Sequence, residues 1–518
     1  MASNERGRAI KVAIRLLPVA VRFKRDRKEW ARKEGKNINE EKFRKHARKA
    51  VNTFIKLGPS FVKLGQWLST RADLLPETYL IEFAKLQDDV PPAAYEQVKE
   101  TIEEELGPIE QVFDYFDRNC ISGASLGQVY RARWDGREVI VKVNRPKIHD
   151  IVAKDIAALK QLLPLAIRFV DRNIAFSAES MFAQFIETIY EEMDYKIEAQ
   201  NLIRIKKNLA GERNVIIPNV IPEKSTERVL TLEYIPGIKV TDVKSLDEAG
   251  IDRTKVVIRV HRLFFKMLLR HDIFHADPHP GNISVTNDGA LILYDFGMVG
   301  KLDNETRLKL VRLYLSLVEK EPVRTVNVFY DLGCLSPNAN RYVVEKGIAL
   351  AIQDMHGKKV DEMEVKALIE LANKTMTKFP FRLPKHLALY MRMASILEGI
   401  YFTHRINFSF VKVLKSLLEE EGLMKEAYIE EMKDTFNRFT KALNDSITVA
   451  PLLKSYLENT NTMNGRTSKH SLIAGSVLSS SVIIGSSIIM QSNPLLGQMG
   501  LIASAAIMGA SMIMNRRR

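Results

Sequence analysis

His275-Ala276-Asp277-Pro278-His279-Pro280-Gly281-Asn282, followed by Asp295-Phe296-Gly297, is the stretch on which the reading of this chain turns. An asparagine stands five positions after the first aspartate, and a second aspartate stands eighteen positions after it. Asp277 can accept a proton from an attacking hydroxyl or orient a water. Asn282 and Asp295 offer the hard oxygens that Mg²⁺ prefers, and Mg²⁺ bridges phosphates and offsets their charge. Between them, Ala290-Leu291-Ile292-Leu293-Tyr294 follows the turn residues Asn287-Asp288-Gly289. That pattern predicts a hairpin strand that delivers Asp295 beside Asp277.

The spacing is that of a phosphoryl-transfer site, in which H-R-D-x-x-x-x-N precedes D-F-G. Such a site also needs a lysine for the α- and β-phosphates, a glutamate to hold it and a loop over the nucleotide. Val139-Ile140-Val141-Lys142-Val143 has the β-branched alternation of a strand and carries the lysine. Upstream, Ile121-Ser122-Gly123-Ala124-Ser125-Leu126-Gly127-Gln128-Val129-Tyr130 is rich in small residues that let backbone N–H groups approach phosphate. The turn Asp135-Gly136 separates two strands in front of Lys142. From Ala178 onward the chain reads as helix, so Glu191, Glu192, Asp194 and Glu198 point in several directions. Val229-Leu230-Thr231-Leu232-Glu233-Tyr234, running into Ile235-Pro236-Gly237, reads as a strand and hinge whose backbone meets an adenine ring.

Four features beyond this core carry a more specific resemblance. They are Lys63-Leu64-Gly65-Gln66; Ala124-Ser125-Leu126-Gly127-Gln128-Val129-Tyr130; Glu192-Met193-Asp194-Tyr195 with Glu198, Ala199 and Asn201; and a hydrophobic C-terminal pair of segments. With them the chain resembles the UbiB family, also called ABC1 or ADCK, of atypical kinase-like proteins. The resemblance implies an α+β, two-lobed protein-kinase-like fold with an N-terminal helical extension and a C-terminal transmembrane helical hairpin. It also implies ATP and Mg²⁺ as cofactors. Glu192 is expected to pair with Lys142, Asp194 and Glu198 to sit near nucleotide and metal, and Lys63 and Gln66 to point into the site from helices laid over it. Gly123, Ala124, Ser125, Leu126, Gly127 and Val129 are expected to line the phosphates, Glu233 and Tyr234 the adenine, and Asn282 and Asp295 the metal.

Two departures stand out. Gly123 occupies a place where the family has an alanine, and glycine loosens the loop. Ala276 stands where H-R-D has its arginine, so control by activation-loop phosphorylation is not expected.

At 518 residues and 46% hydrophobic content, the chain is large enough for one large or two moderate cores. Two cysteines exclude a disulfide framework or a cysteine-based zinc site. The N-terminal apolar run is interrupted and lacks a cleavage-like end, so no signal peptide is expected. Formal net charge is +14, dense around Lys24-Arg25-Asp26-Arg27-Lys28, but no nucleic-acid motif accompanies it. Attraction to anionic membrane lipid accounts for the charge more economically. Residues 9–21 have the spacing of an amphipathic helix, lying on a membrane or packed on the core.

Ser471–Met490 and Leu495–Met514 are each twenty uncharged residues, joined by Gln491-Ser492-Asn493-Pro494. About twenty apolar residues cross a bilayer as a helix. Basic flanks, Arg466 and Lys469 before and Arg516-Arg517-Arg518 after, predict that both ends lie on the cytoplasmic side of the cell membrane. The resulting organisation is a 1–115 helical extension, a 116–236 N-lobe, a 237–460 helical C-lobe, a 461–470 linker and a 471–514 transmembrane hairpin. His275 and His279 have metal-like spacing, but Pro278 and Pro280 prevent a helix there, and His275 is expected to brace the loop.

The expected function is a membrane-anchored, Mg-ATP-dependent kinase or ATPase supporting isoprenoid quinone or related lipid metabolism. Its partners would be an isoprenoid lipid or quinone intermediate, with a homodimer or a lipid-biosynthesis complex open. A small-molecule kinase and a non-enzymatic nucleotide-sensing scaffold are the alternatives. A conventional protein kinase is disfavoured by the missing Gly-x-Gly-x-x-Gly and Ala-Pro-Glu.

Overall fold

The computed structural model describes residues 2–33, 38–69, 71, 75–86, 92–123, 125–167, 172–335, 340–354, 384–404, 406, 410–437, 440–441, 479–480, 482–483, 486–487, 490 and 494–516. The chain divides into two compact units. One comprises Met1–Arg307, Leu332–Ala339 and Asp354–Leu417; the other comprises Leu308–Asp331, Asn340–Gln353 and Leu418–Arg518.

The first unit opens with helices α1 (Ala2–Arg32), α2 (Glu40–Leu57), α3 (Pro59–Ser69) and α4 (Glu77–Ala84). Asn39 caps α2 by accepting from the Lys42 N–H, and the paired acids Glu40 and Glu41 suit the positive end of its dipole. Val12, Phe43, Ala47, Ala50, Phe61 and Tyr79 form the core among these helices. The amphipathic helix expected over residues 9–21 lies within α1 and buries one face: Ala9 and Val12 are in that core. Ile10, Ile14 and Leu17, spaced four and three residues apart, remain exposed on α1. Arg8 fastens α1 by donating to Asp155 at 2.6 Å and to the Leu57 carbonyl at 2.7 Å.

Helices α5 (Tyr95–Leu106) and α6 (Ile109–Val112) lead into β1 (Tyr115–Gly123), β2 (Gly127–Trp134) and β3 (Arg137–Asn144). Asp135 and Gly136 both have positive φ, 50° and 70°, which matches the right-handed twist of a two-residue hairpin turn. Helices α7 (Ile148–Ile167), α8 (Arg172–Met193) and α9 (Tyr195–Asn208) follow, then β4 (Val215–Ile216) and β5 (Val229–Glu233). The first sheet has the order β1-β2-β3-β5 and is antiparallel throughout.

The next elements are β6 (Ile238–Lys239), α10 (Val243–Glu248), α11 (Arg253–Arg270), β7 (Ile273–His275), β8 (Ile283–Val285), β9 (Leu291–Leu293) and β10 (Val299–Lys301). Strands β8 and β9 are the expected hairpin, and their sheet runs β4-β9-β8-β6. Strand β7 pairs with β10. Gly300 admits the Phe274 ring: a Cβ there would lie 2.1 Å from it. A further helix, Lys385–His404, packs on α11 and β10.

In the second unit, the helix Pro322–Asp331 is held by Arg324, whose Nε and Nη2 donate to the two carboxylate oxygens of Glu431 at 3.0 and 2.5 Å. Arg312 donates to Asp434 at 2.8 Å. The helix Pro494–Arg516 packs against the described parts of 479–490: Ser479 Oγ donates to the Ser504 carbonyl at 3.1 Å, and a Cβ on Gly500 would meet Ser486 Oγ at 2.1 Å. The transmembrane reading of this hairpin gains no support. Among the described residues no helix is long and apolar enough to cross a membrane. Residues 471–478, the start of the first expected span, and the 461–470 linker lie outside the described residues.

Candidate phosphoryl-transfer site

Lys142 sits in the middle of β3, paired with Val129 on one side and Leu230 on the other. Directly opposed residues share a face of an antiparallel sheet, so Val129 lies on the lysine's face. Lys142 Nζ donates to Glu198 Oε1 at 2.5 Å and stands 3.5 Å from Asp295 Oδ2. Burial works against the ammonium, but the carboxylates of Asp295 and Glu198 more than offset it and push its pKa up to about 12. Burial also raises Asp295, yet Lys142, the Gly297 N–H, His275 and Lys63 outweigh it and hold that carboxyl below the usual aspartate range. Glu198 is shifted the other way: burial and the Asp295 charge keep it high even with Lys142 beside it.

The expected pairing of Glu192 with Lys142 is corrected. Glu192 Oε2 instead meets Lys63 Nζ at 2.6 Å, and Glu198 takes the β3 lysine. The cause is a break in what read as one helix. At Asp194 the chain leaves α8, and the Asp194 carboxylate accepts from the Lys196 N–H as the N-cap of α9. The two glutamates thus lie on different helices, one near the end of α8 and one in the first turn of α9. Asp194, expected near nucleotide and metal, serves this cap. Glu198 and Asn201 then share one face of α9 and clamp Phe296: Glu198 accepts its N–H at 3.1 Å and Asn201 donates to its carbonyl at 3.2 Å.

Each residue of Lys63-Leu64-Gly65-Gln66 has a physical task. Lys63 reaches Glu192 and lowers Asp295 electrostatically. Gly65 lets α3 close on its neighbours, since a Cβ would lie 2.2 Å from Leu86 and 2.8 Å from Phe54. Gln66, expected to point into the site, donates its amide to the Leu86 carbonyl at 2.5 Å. Leu64 and Trp67 pack on the cluster of Leu126, Ile148, Val152, Phe185 and Met193.

That cluster also ties down the expected phosphate loop. Gly123 ends β1 paired with Gln128, and Ala124 lies outside the described residues. Ser125, Leu126 and Gly127 are buried, and Leu126 is a core residue with its carbonyl accepting from Arg145 N–H at 2.9 Å. Burying a leucine side chain contributes about 2 kcal/mol, which ties the loop down. Gly127 leaves room for a tyrosine: a Cβ there would lie 2.2 Å from the Tyr195 hydroxyl. At the hinge, Glu233 Oε2 accepts from Asn219 N and Nδ2 at 3.2 and 2.8 Å. The Tyr234 amide, expected to meet adenine, already donates to the Glu138 carbonyl at 3.1 Å, extending the β3–β5 ladder. Arg131 lies over the Tyr234 ring, 4.3 Å from its centre.

The catalytic loop is organised by His275. The Asp277 N–H donates to Nδ1 at 3.1 Å, so Nε2 carries the proton and faces the Tyr294 carbonyl at 3.3 Å. Desolvation holds this histidine below its ordinary pKa, and Phe264 and Phe296 flank its ring. Asn282 and Asp295 come together because Tyr294 N–H donates to the Asn282 carbonyl at 2.9 Å, closing the β8–β9 hairpin one residue before Asp295. Asp295 adopts φ +55°, a left-handed conformation that aspartate tolerates better than most residues.

One residue had no signal in the sequence. Arg392, on the helix Lys385–His404, places Nη2 3.2 Å from Asp277 Oδ1. It lies 115 positions from its partner, and only the fold brings them together.

The donor set suits a nucleotide-bound Mg²⁺. Asn282 and Asp295 supply only oxygen ligands. Among the described residues no group of three or more histidines, cysteines or acids would hold a metal by itself. Mg²⁺ keeps several waters and completes its shell with substrate phosphates, so one or two protein ligands are enough.

Comparison with known proteins points to one family. The ABC1 atypical kinase-like domain matches residues 85–329. Protein ACTIVITY OF BC1 COMPLEX KINASE 7, chloroplastic, of Arabidopsis thaliana is 33% identical over 423 residues, covering 80% of this chain and 60% of that protein. An uncharacterized protein of Synechocystis sp. is 33% identical over 405 residues, 77% of this chain and 69% of that one. Protein ACTIVITY OF BC1 COMPLEX KINASE 1, chloroplastic, of Arabidopsis thaliana is 35% identical over 370 residues, 71% of this chain and 54% of that one. The matches thus span between 54% and 69% of the length of these relatives. With a kinase-like α+β fold, a matching domain and relatives of this kind, the chain belongs to the UbiB/ABC1/ADCK family of atypical kinase-like proteins.

Proposed function

We propose that this protein is a membrane-anchored, Mg-ATP-dependent atypical kinase or ATPase that serves isoprenoid quinone or related lipid metabolism. The observation that carries the reading is Lys142 held between Glu198 at 2.5 Å and Asp295 at 3.5 Å, with Asp295 standing just past the hairpin that begins at Asn282. In this reading Lys142 meets the α- and β-phosphates. Asn282 and Asp295 hold Mg²⁺, which offsets phosphate charge during transfer. Asp277 orients the nucleophile, a water or an acceptor hydroxyl. Lys63, tied to Glu192, stands at the entrance and restricts what reaches Asp277.

The membrane part of the proposal rests on the two uncharged twenty-residue stretches, their basic flanks and the net charge of +14. The exposed Ile10, Ile14 and Leu17 on α1 add an apolar stripe beside the exposed Lys11. Anionic lipid is the surface such a stripe suits. The body is placed on the cytoplasmic side of the cell membrane, with self-association or a lipid-biosynthesis complex as its setting. The plant relatives are named as kinases, which fits the chemistry proposed here.

The test is Mg²⁺-dependent ATP hydrolysis by the full chain, with and without liposomes and a phenolic quinone precursor, beside Asp277→Asn and Asp295→Asn. Hydrolysis that rises with lipid or phenol and vanishes in both variants supports the reading. ATP binding without turnover under every condition replaces it with a nucleotide-sensing scaffold, and a phosphorylated small molecule replaces it with a small-molecule kinase. Asp295→Asn is expected to keep its melting temperature while losing Mg²⁺-dependent nucleotide binding.

A further inference from the structure

We propose that Arg392 is the positioning residue for Asp277, supplied by a C-lobe helix in place of a cation on the catalytic loop. The inference rests on the phosphoryl-transfer reading above. From Ala276 to Asn282 the loop carries no arginine or lysine of its own to answer the Asp277 carboxylate. The structure provides one from elsewhere. Arg392 Nη2 donates to Asp277 Oδ1 at 3.2 Å, with the two side chains only 18% and 22% exposed. A pair shielded to that degree is screened far less than a surface ion pair.

The helix that carries Arg392 is anchored firmly. Met393, Ala394, Leu397 and Ile400 are buried, and the helix packs on α11 and β10. Strand β10 pairs with β7, which ends at His275. One rigid assembly therefore holds both partners: His275 sets the backbone of Asp277 through its N–H, and Arg392 sets the carboxylate. With Oδ1 held, rotation about the carboxyl is restricted. Arginine suits this task better than lysine because its planar fork fixes the direction of the bond. Arg392 also lies outside residues 85–329, the part matched by the family domain. Its role was therefore not visible from the motif set.

The experiment compares the full-length protein with Arg392→Ala, Arg392→Lys and Asp277→Asn. It measures nucleotide affinity, the rate of ATP hydrolysis at saturation and the melting temperature. Arg392→Ala is expected to lower the saturated rate about tenfold or more while nucleotide affinity stays within about threefold, the split expected for an interaction that matters in the transition state. Arg392→Lys should fall between. Added guanidinium ion should restore part of the rate in Arg392→Ala and none in Asp277→Asn. The double variant should be no slower than Asp277→Asn alone, because residues acting as a unit are non-additive. A wild-type rate in Arg392→Ala overturns the proposal and leaves the phosphoryl-transfer reading standing. So does a loss of rate that guanidinium does not restore and that tracks a lowered melting temperature in both Arg392 variants. A wild-type protein that neither binds nor hydrolyses ATP overturns the reading itself, and this role with it.

Discussion

At the residue scale, the site is a relay of paired charges rather than a single lysine–glutamate contact. Lys142 lies between Glu198 and Asp295, Lys63 pairs with Glu192, and Arg392 pairs with Asp277. The Lys63–Glu192 and Arg392–Asp277 pairs are both partly sheltered, so removing one partner leaves a charge in a place that disfavours it. The Lys63–Glu192 pair, 18% and 11% exposed, permits a direct check. A double-mutant cycle of Lys63→Ala and Glu192→Ala, read by denaturant unfolding, should give a coupling energy of about 1 kcal/mol or more. Additive single effects would mean that the two residues act separately. The strand that carries Lys142 and the hairpin that joins Asn282 to Asp295 were legible from type and spacing alone. Arg392 was not, because a contact across 115 positions leaves no local pattern.

At the element scale, helix breaks and close approaches decide where the charges point. Asp194 was readable as an acidic residue on a helix, but not as the end of one helix and the cap of another. The competition between a continuing helix and an Asx cap is settled by packing. Here the buried Met193 and Tyr195 flank the break, and the Asn144 side chain donates to the Met193 carbonyl at 2.7 Å. Gly65 makes a similar point on α3. A methyl group there overlaps Leu86 and Phe54, so Gly65→Ala should destabilise the protein by about 1–3 kcal/mol, the usual cost of overpacking. Thermal unfolding checks this, and an unchanged melting temperature would mean that α3 shifts freely against α2 and α4. On α11, His261 is buried and desolvation lowers its pKa to about 4 from 6.5. The unfolded chain then binds more protons than the folded one between those values, so stability falls as pH drops through that window. His271, His275 and His404 are lowered by the same cause and act in the same direction. Melting temperatures between pH 7 and pH 4 should therefore decline, and His261→Leu should flatten part of that slope.

At the scale of the whole molecule, 77 basic residues face 63 acidic ones, and the apolar stripe of α1 sits in a basic neighbourhood. If lipid is the partner, attraction must weaken as salt shortens the range of charge interactions, from about 10 Å at 0.1 M to about 3 Å at 1 M. Sedimentation with anionic vesicles should show full-length protein bound at low salt. Truncation before residue 471 should make that binding fully salt-reversible, whereas the intact chain should retain a fraction through its C-terminal segments. Equal binding to neutral and anionic vesicles would remove the electrostatic part of the proposal.

What the sequence determined by itself was local: which side chains the hairpin and the third strand carry. The hairpin that brings Asp295 to Asn282 spans few residues, so its turn and alternating pattern encode it locally, and β3 carries Lys142 for the same reason. What only the tertiary structure decided was which charge answers which. Glu198 rather than Glu192 reaches Lys142 because α9 starts afresh at Asp194. The Leu126 side chain goes to the core because an apolar side chain gains more from burial than from exposure at a rim. Arg392 reaches Asp277 because a helix more than a hundred residues later packs on α11 and β10. Spacing along a chain records local geometry, and these pairings depend on the packing of elements far apart in sequence.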